Sequence, residues 1–176
     1  MRIIRPHTVK LLITGCLAAL LCACAGPKAV TYSGRAVPLL NPDENGNALS
    51  LVIHVYQLKS SDVFNRLTVD DLTSGKRESD LLGSDLISMR EVVLLPGGKL
   101  TDGDIVQEKT NYIGVVGFFR QPDPHFWRLL FSADAVRSDG LNLKVDRCYL
   151  QDISPSRLAI PDQPGTFHPD CRPIGN

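Results

Sequence analysis

Five cysteines, four histidines and 19 acidic side chains are the raw material for chemistry in this 176-residue chain. Cys22 and Cys24 stand one residue apart near the N-terminus, and Cys148 and Cys171 enclose 22 residues near the other end. The distal pair could close a disulfide, or join His168 and Asp170 on a metal ion. A metal site wants three or four converging ligands. His168-Pro169-Asp170-Cys171 has a proline in its middle and no matching set upstream, which favours the disulfide. His54 sits inside an apolar stretch, where a lone histidine reads as a satisfied sheet residue rather than a base. Asp70 and Asp71 are adjacent, and adjacent helix positions point apart, so they read as a cap or a solvated face. Asp102-Gly103-Asp104 is a fragment of a calcium-loop pattern without the remaining ligands or the terminal glutamate. The nucleophile elbow, the zinc-protease pair of histidines and the phosphate-binding glycine loop are all missing. The residues therefore assign no catalytic site and no metal site, and the expectation is a protein that is not an enzyme.

The proximal thiols sit in a different context. Arg2, Arg5 and Lys10 precede an apolar run from Leu11 to Ala23, broken only by Thr14 and Gly15. A basic head, a short apolar core and small residues at its end make a secretory signal, too short to span a bilayer comfortably. Leu21-Cys22-Ala23-Cys24 resembles the bacterial lipobox, an aliphatic residue and small residues ahead of an invariant cysteine. Cleavage before Cys24 would make it the first mature residue, carrying S-diacylglycerol and N-acyl lipid and no other cofactor. Leu20-Leu21-Cys22 fits less well, because leucine directly before the cysteine is a poor match. Ala25, not aspartate, follows Cys24, which by resemblance to sorted lipoproteins favours the outer membrane. Several acyl chains give a stable anchor where one does not. In that oxidising compartment disulfides persist, and a Cys148–Cys171 bridge would stabilise by about 3 kcal/mol in the chain-entropy view.

Composition narrows the remaining classes. Basic and acidic residues are equal at 19, so the basic surplus of a nucleic-acid binder is missing. Loss of residues 1–23 removes three basic residues and no acidic one, leaving 16 against 19 and a net charge of −3. The 153 residues that remain suffice for one core.

The elements that must carry any site are short strands. Val30–Val37 reads as a first strand. Leu51-Val52-Ile53-His54-Val55-Tyr56-Gln57-Leu58 is apolar on both faces and belongs in the centre of a sheet. Between them lies a long connection whose Asn41-Pro42-Asp43-Glu44-Asn45-Gly46-Asn47 is rich in turn formers. Ser61 or Asp62 can start one short helix and Thr68 a second, stopped by Gly75. A helical turn follows at Leu81–Ser84, then strands at Met89–Leu95, weakly at Leu100–Val106, at Tyr112–Phe119, at Phe126–Phe131 and across Leu141–Leu150. The glycines of Tyr112–Phe119 suggest close backbone approach. From Gln151 onward five prolines argue against regular structure. Seven to eight short strands with one or two added helices predict an all-β sandwich. The expected organisation is a signal at 1–23, a lipidated tether at 24–29, a sandwich over 30–150 and a Pro-rich, disulfide-tied tail at 151–176.

Several stretches together resemble a known family. Asn41-Pro42-Asp43-x-x-Gly46 followed by Leu51-Val52-Ile53-His54-Val55-Tyr56-Gln57-Leu58-Lys59 is similar to a segment of the type VI secretion lipoproteins, the TssJ family. Asp80-Leu81-Leu82-Gly83, Leu95-Pro96-Gly97, Tyr112-Ile113-Gly114-Val115-Val116, Phe119-Arg120 and Trp127-Arg128 follow in the family's order. His54 and the long tail depart from its pattern. The resemblance implies a transthyretin-like sandwich held at the outer membrane and facing the periplasm. It implies binding to the periplasmic C-terminal domain of TssM, in a complex that also contains TssL, with Pro38–Ser50 as the contact loop. Two other readings of the residues are a lipoprotein that binds a small ligand in a deep apolar pocket between its sheets and a periplasmic metalloenzyme using His54, His125 or His168.

Overall fold

Alternation of apolar and polar side chains sets the first strand. In β1, Lys28–Ala36, buried Val30, Tyr32 and Ala36 alternate with exposed or half-exposed Thr31, Ser33 and Arg35. Strand β2, Leu51–Leu58, is buried on both faces except at Val52. The computed structural model describes residues 27–171. It continues through β3 (Leu86–Leu94), β4 (Lys99–Val106), β5 (Tyr112–Gly117), β6 (Arg128–Ser132), β7 (Leu141–Val145) and β8 (Leu150–Ser154).

The strands form two four-stranded sheets, ordered β4-β1-β7-β8 and β3-β2-β5-β6. All pairings are antiparallel except β1 with β7. Tyr32, Leu51, Ile53, Val55, Leu94, Val115, Leu129, Phe131 and Leu143 are buried in one core cluster. Gln57, only 2% exposed, ties the sheets together. Its Nε2 donates to Asp104 Oδ2 at 3.1 Å and Ile105 O at 2.9 Å, and its Oε1 accepts from Gln107 N and Thr110 Oγ1, both at 2.9 Å. A buried amide with its groups paired is stabilising where an unpaired one is costly.

The outer face of β2 is roofed by the β2–β3 connection. A 3-10 turn at Phe64–Arg66 leads into helix α1 (Val69–Thr73), then helix α2 (Glu78–Leu82). Thr68 caps α1 as expected: its Oγ1 accepts from Asp71 N while Asp71 accepts from Thr68 N, a reciprocal box. Phe64 packs against the sheet at Gly114, which has no side chain there; a Cβ would come within 2.6 Å of its ring. Arg128 stacks on Trp127, 4.8 Å from its ring centre, and donates to the carbonyls of Phe64, Asn65 and Leu67.

Three features differ from expectation. Helix α3, Ala133–Asp139, occupies a stretch to which the sequence reading assigns no element. Its signals are Arg137 in the last turn and Gly140 at φ 72°, short punctuation around seven residues. Regular structure also runs past residue 150, because Gln151–Ser154 precede the first proline of the tail and pair with β7. Finally, the strand expected across Leu141–Leu150 ends at Val145, where Asp146 N donates to Tyr149 O in a turn that leads into β8. The tail runs along the edge of β6. Leu158 N–H donates to Leu130 O of β6 at 2.7 Å, and Gln163 Nε2 donates to the carbonyls of His125 and Arg128.

Candidate partner-binding loop

Strand polarity brings four connections to one end of the sandwich. The β1–β2, β3–β4, β5–β6 and β7–β8 connections all lie there, while β1 begins at the other end beside Val106. The connection between Ala36 and Leu51 crosses from one sheet to the other. Its neighbours hold its root: Val37 N donates to Val145 O at 3.1 Å, Gly97 N to Val37 O at 3.0 Å, and Asn41 N to Arg147 O at 3.1 Å. Leu40, within it, is fully buried.

Asn41 is the pin. It takes φ 45°, a left-handed conformation asparagine tolerates better than most residues. Its Nδ2 donates to Ser50 O at 2.9 Å and its Oδ1 accepts from Arg120 N at 2.8 Å. At 6% exposure it braces the loop and offers little surface itself. Asp43 organises the tip. Its Oδ1 accepts from Asn45 N at 2.9 Å and Asn47 N at 2.8 Å, and its Oδ2 from Asn47 Nδ2 at 2.9 Å. The Asn47 amide side chain, more than any other group, holds the Asp43 carboxyl below the ordinary carboxylate range. Gly46 at φ 81° closes the turn, donating to Asp43 O at 3.0 Å. Pro42 is half-buried, and Glu44, Asn45 and Asn47 project into solvent. The result is a rigid polar knob whose backbone is fixed before anything touches it.

The other residues singled out by sequence fall elsewhere. Cys148 and Cys171 are joined by a disulfide with Cα atoms 5.7 Å apart, so the tail returns to the end of the molecule that carries the loop. Asp123, 1% exposed and unremarked in the sequence, receives His125 N and Phe126 N at that end. His54 is buried in β2, with Nδ1 2.8 Å from Glu78 Oε1 and Nε2 3.0 Å from Glu91 Oε2; it ties α2 to the sheet. His125 and His168 are exposed, in the β5–β6 connection and the tail. Asp71 serves its helix cap, and Asp102 pairs with Arg90 Nε at 2.5 Å across the open side of the sandwich. Among the described residues no three His, Cys, Asp or Glu side chains converge as metal ligands. The space between the sheets is filled by the core, and the cavities described lie at the surface. Cys24 and the rest of the signal segment lie outside the described residues.

The comparisons with known proteins agree in direction. The family described as type VI secretion lipoprotein, VasD, EvfM, TssJ, matches residues 28–148. The lipoprotein TssJ1 of Pseudomonas aeruginosa has 27% identity and a TM-score of 0.65, covering 74% of this chain and 98% of its own. A chain of a type VI membrane complex has 26% identity and a TM-score of 0.65 over 72% and 98%. A chain of the structure described as the TssM C-terminal domain (869–1107) from EAEC shares the fold at 24% identity and a TM-score of 0.61, over 73% and 99%. No curated protein matches the sequence.

Proposed function

The chain belongs to the type VI secretion lipoprotein family, and on that premise we propose that it fastens the secretion machine's membrane complex to the outer membrane. In this reading Cys24 carries the lipid, the sandwich faces the periplasm, and the loop Asn41–Asn47 binds the periplasmic C-terminal domain of TssM, in a complex that also holds TssL. The role is structural, without catalysis.

One observation supports the reading: β1 runs the length of its sheet, away from the segment that holds Cys24 and toward the braced loop. It starts four residues after Cys24 and delivers its last residue, Ala36, to the opposite end, where the braced loop begins. Nine residues of strand span about 30 Å at roughly 3.3 Å per residue. The lipid would therefore hold one end of a rigid rod while the loop is displayed at the other. Support comes from the neighbours too: one similar chain comes from a type VI membrane complex, and a fold match comes from a structure described as the TssM C-terminal domain.

A ligand-binding module would need room between the sheets, and that volume is occupied by Ile53, Val55, Val115, Leu129 and Phe131. The test is calorimetry of the mature chain against the TssM periplasmic domain. Saturable one-site binding is expected; heats no larger than dilution would end the proposal.

A further inference from the structure

Beside the loop, α1 and the β5–β6 connection enclose an apolar groove of about 250 Å³. Val116, Phe119 and Trp127, all buried, form its floor, and Leu72 and Thr73 of α1 form one rim. The opposite rim carries Arg120 and Pro122. Small-molecule sites usually exceed about 300 Å³; this one suits a single large side chain. Interfaces concentrate their binding energy in such anchored side chains.

We propose that this groove receives one aromatic or branched aliphatic side chain of the same partner that meets the loop, with a carboxylate next to it in the partner that pairs with Arg120. The inference rests on the loop's role proposed above and adds a second contact to it.

Charge selects the occupant. Arg120 is exposed and is the charged residue of the lining, which holds no carboxylate; it acts through space on Asp43 of the loop, helping to hold that carboxyl low, but among the described residues it makes no ion pair. An apolar side chain flanked by an acidic group matches that lining, and one flanked by lysine would be repelled.

Continuity selects the partner. The Arg120 N–H donates to Asn41 Oδ1 at 2.8 Å, so a hydrogen bond joins the groove's rim to the loop and the two form one continuous surface. Both walls are set in advance. Arg128 fixes the turn that feeds α1 through three carbonyls, and the Thr68–Asp71 box fixes the helix start. Gly117 makes room for the Phe119 ring, which a Cβ would meet at 2.6 Å. A preformed groove removes part of the ordering cost of association.

The experiment uses the lipidated full mature protein in detergent and the TssM periplasmic domain as probe. Thr73→Trp fills the groove from an exposed helix end, and Arg120→Glu reverses the rim charge without touching the backbone bond to Asn41. Each is expected to weaken binding at least about tenfold, the scale of a modest hot spot, with circular dichroism and melting temperature unchanged. Thr73→Ser and Arg120→Lys should bind within about threefold of wild type, well inside one such step. If both test variants bind as wild type while Asp43→Ala weakens binding, the groove is overturned and the loop stands. If only Arg120→Glu is silent, the acidic neighbour is overturned and the apolar anchor stands. If wild type does not bind, the loop reading fails and the groove falls with it.

Discussion

Both oxygens of Asp43 are occupied within its own loop, by Asn45 and Asn47, so the tip owes its shape to one carboxylate. Replacing it with alanine should leave the sandwich intact and weaken partner binding about tenfold, the cost of ordering a loop that is no longer preorganised. The same contacts set a pH dependence. The folded carboxyl is held below its unfolded value, so its stabilisation is present above about pH 4 and is lost as pH falls through the lower folded value. The amide signals of Asn45 and Asn47 should hold position from neutral pH to about 4 and collapse only below it; movement near pH 6 would contradict this. Gly114 is a second single-residue dependence. An alanine there drives a methyl into the Phe64 ring, and urea unfolding should report a loss of about 1–3 kcal/mol, the usual penalty of overpacking.

At the scale of elements, the disulfide and the tail act together. Cys148 begins the run into β8 and Cys171 ends the described tail, while Leu158 and Gln163 hold the intervening chain along β6. Paired alanines at both cysteines should cost about 3 kcal/mol in the chain-entropy view. Limited proteolysis should then cut between 155 and 171 while leaving the sandwich whole. Equal protease resistance with and without the bridge would show that β6 contacts alone hold the tail. The capped edge also explains an asymmetry. β6 is covered by chain, whereas β4 on the opposite side carries Lys99, Asp102 and Asp104, a charged edge of the kind that resists pairing with other strands.

For the whole molecule, the decisive property is polarity along β1, with the proposed lipid at one end and the loop at the other. Cys24→Ser should abolish palmitate labelling and release the protein from the membrane fraction, while the purified variant still melts cooperatively and binds the partner domain. Retained label would sink the anchor; lost partner binding would mean that lipid and loop are not separate devices. Processing before Cys24 would leave a net charge of −3, so salt should act on association chiefly through the proposed Arg120 pair, weakening binding as ionic strength rises.

Much of this was legible before folding was considered. The signal and the lipobox at Cys24 are read from linear patterns alone; they lie outside the described residues and belong to the proposal. The central strand announces itself because burial on both faces demands a continuous apolar run, and Thr68 and Gly75 mark a helix by local backbone chemistry alone. The turn at Asn41–Asn47 is likewise local, since proline fixes its φ and glycine accepts the positive φ that closes the turn. What the chain order could not disclose is which distant groups meet. Asn41 looks like any loop residue until Arg120 and Arg147 are folded against it, when it becomes a buried pin. Gln57 reads as one member of an apolar strand until Asp104 and Thr110 arrive from the other sheet and the next connection. The groove has walls 40 and more residues apart in sequence, from Leu72 to Arg120 and Trp127. Local patterns are written in neighbouring residues and survive in the sequence, whereas such meetings exist only after two sheets have closed on one core.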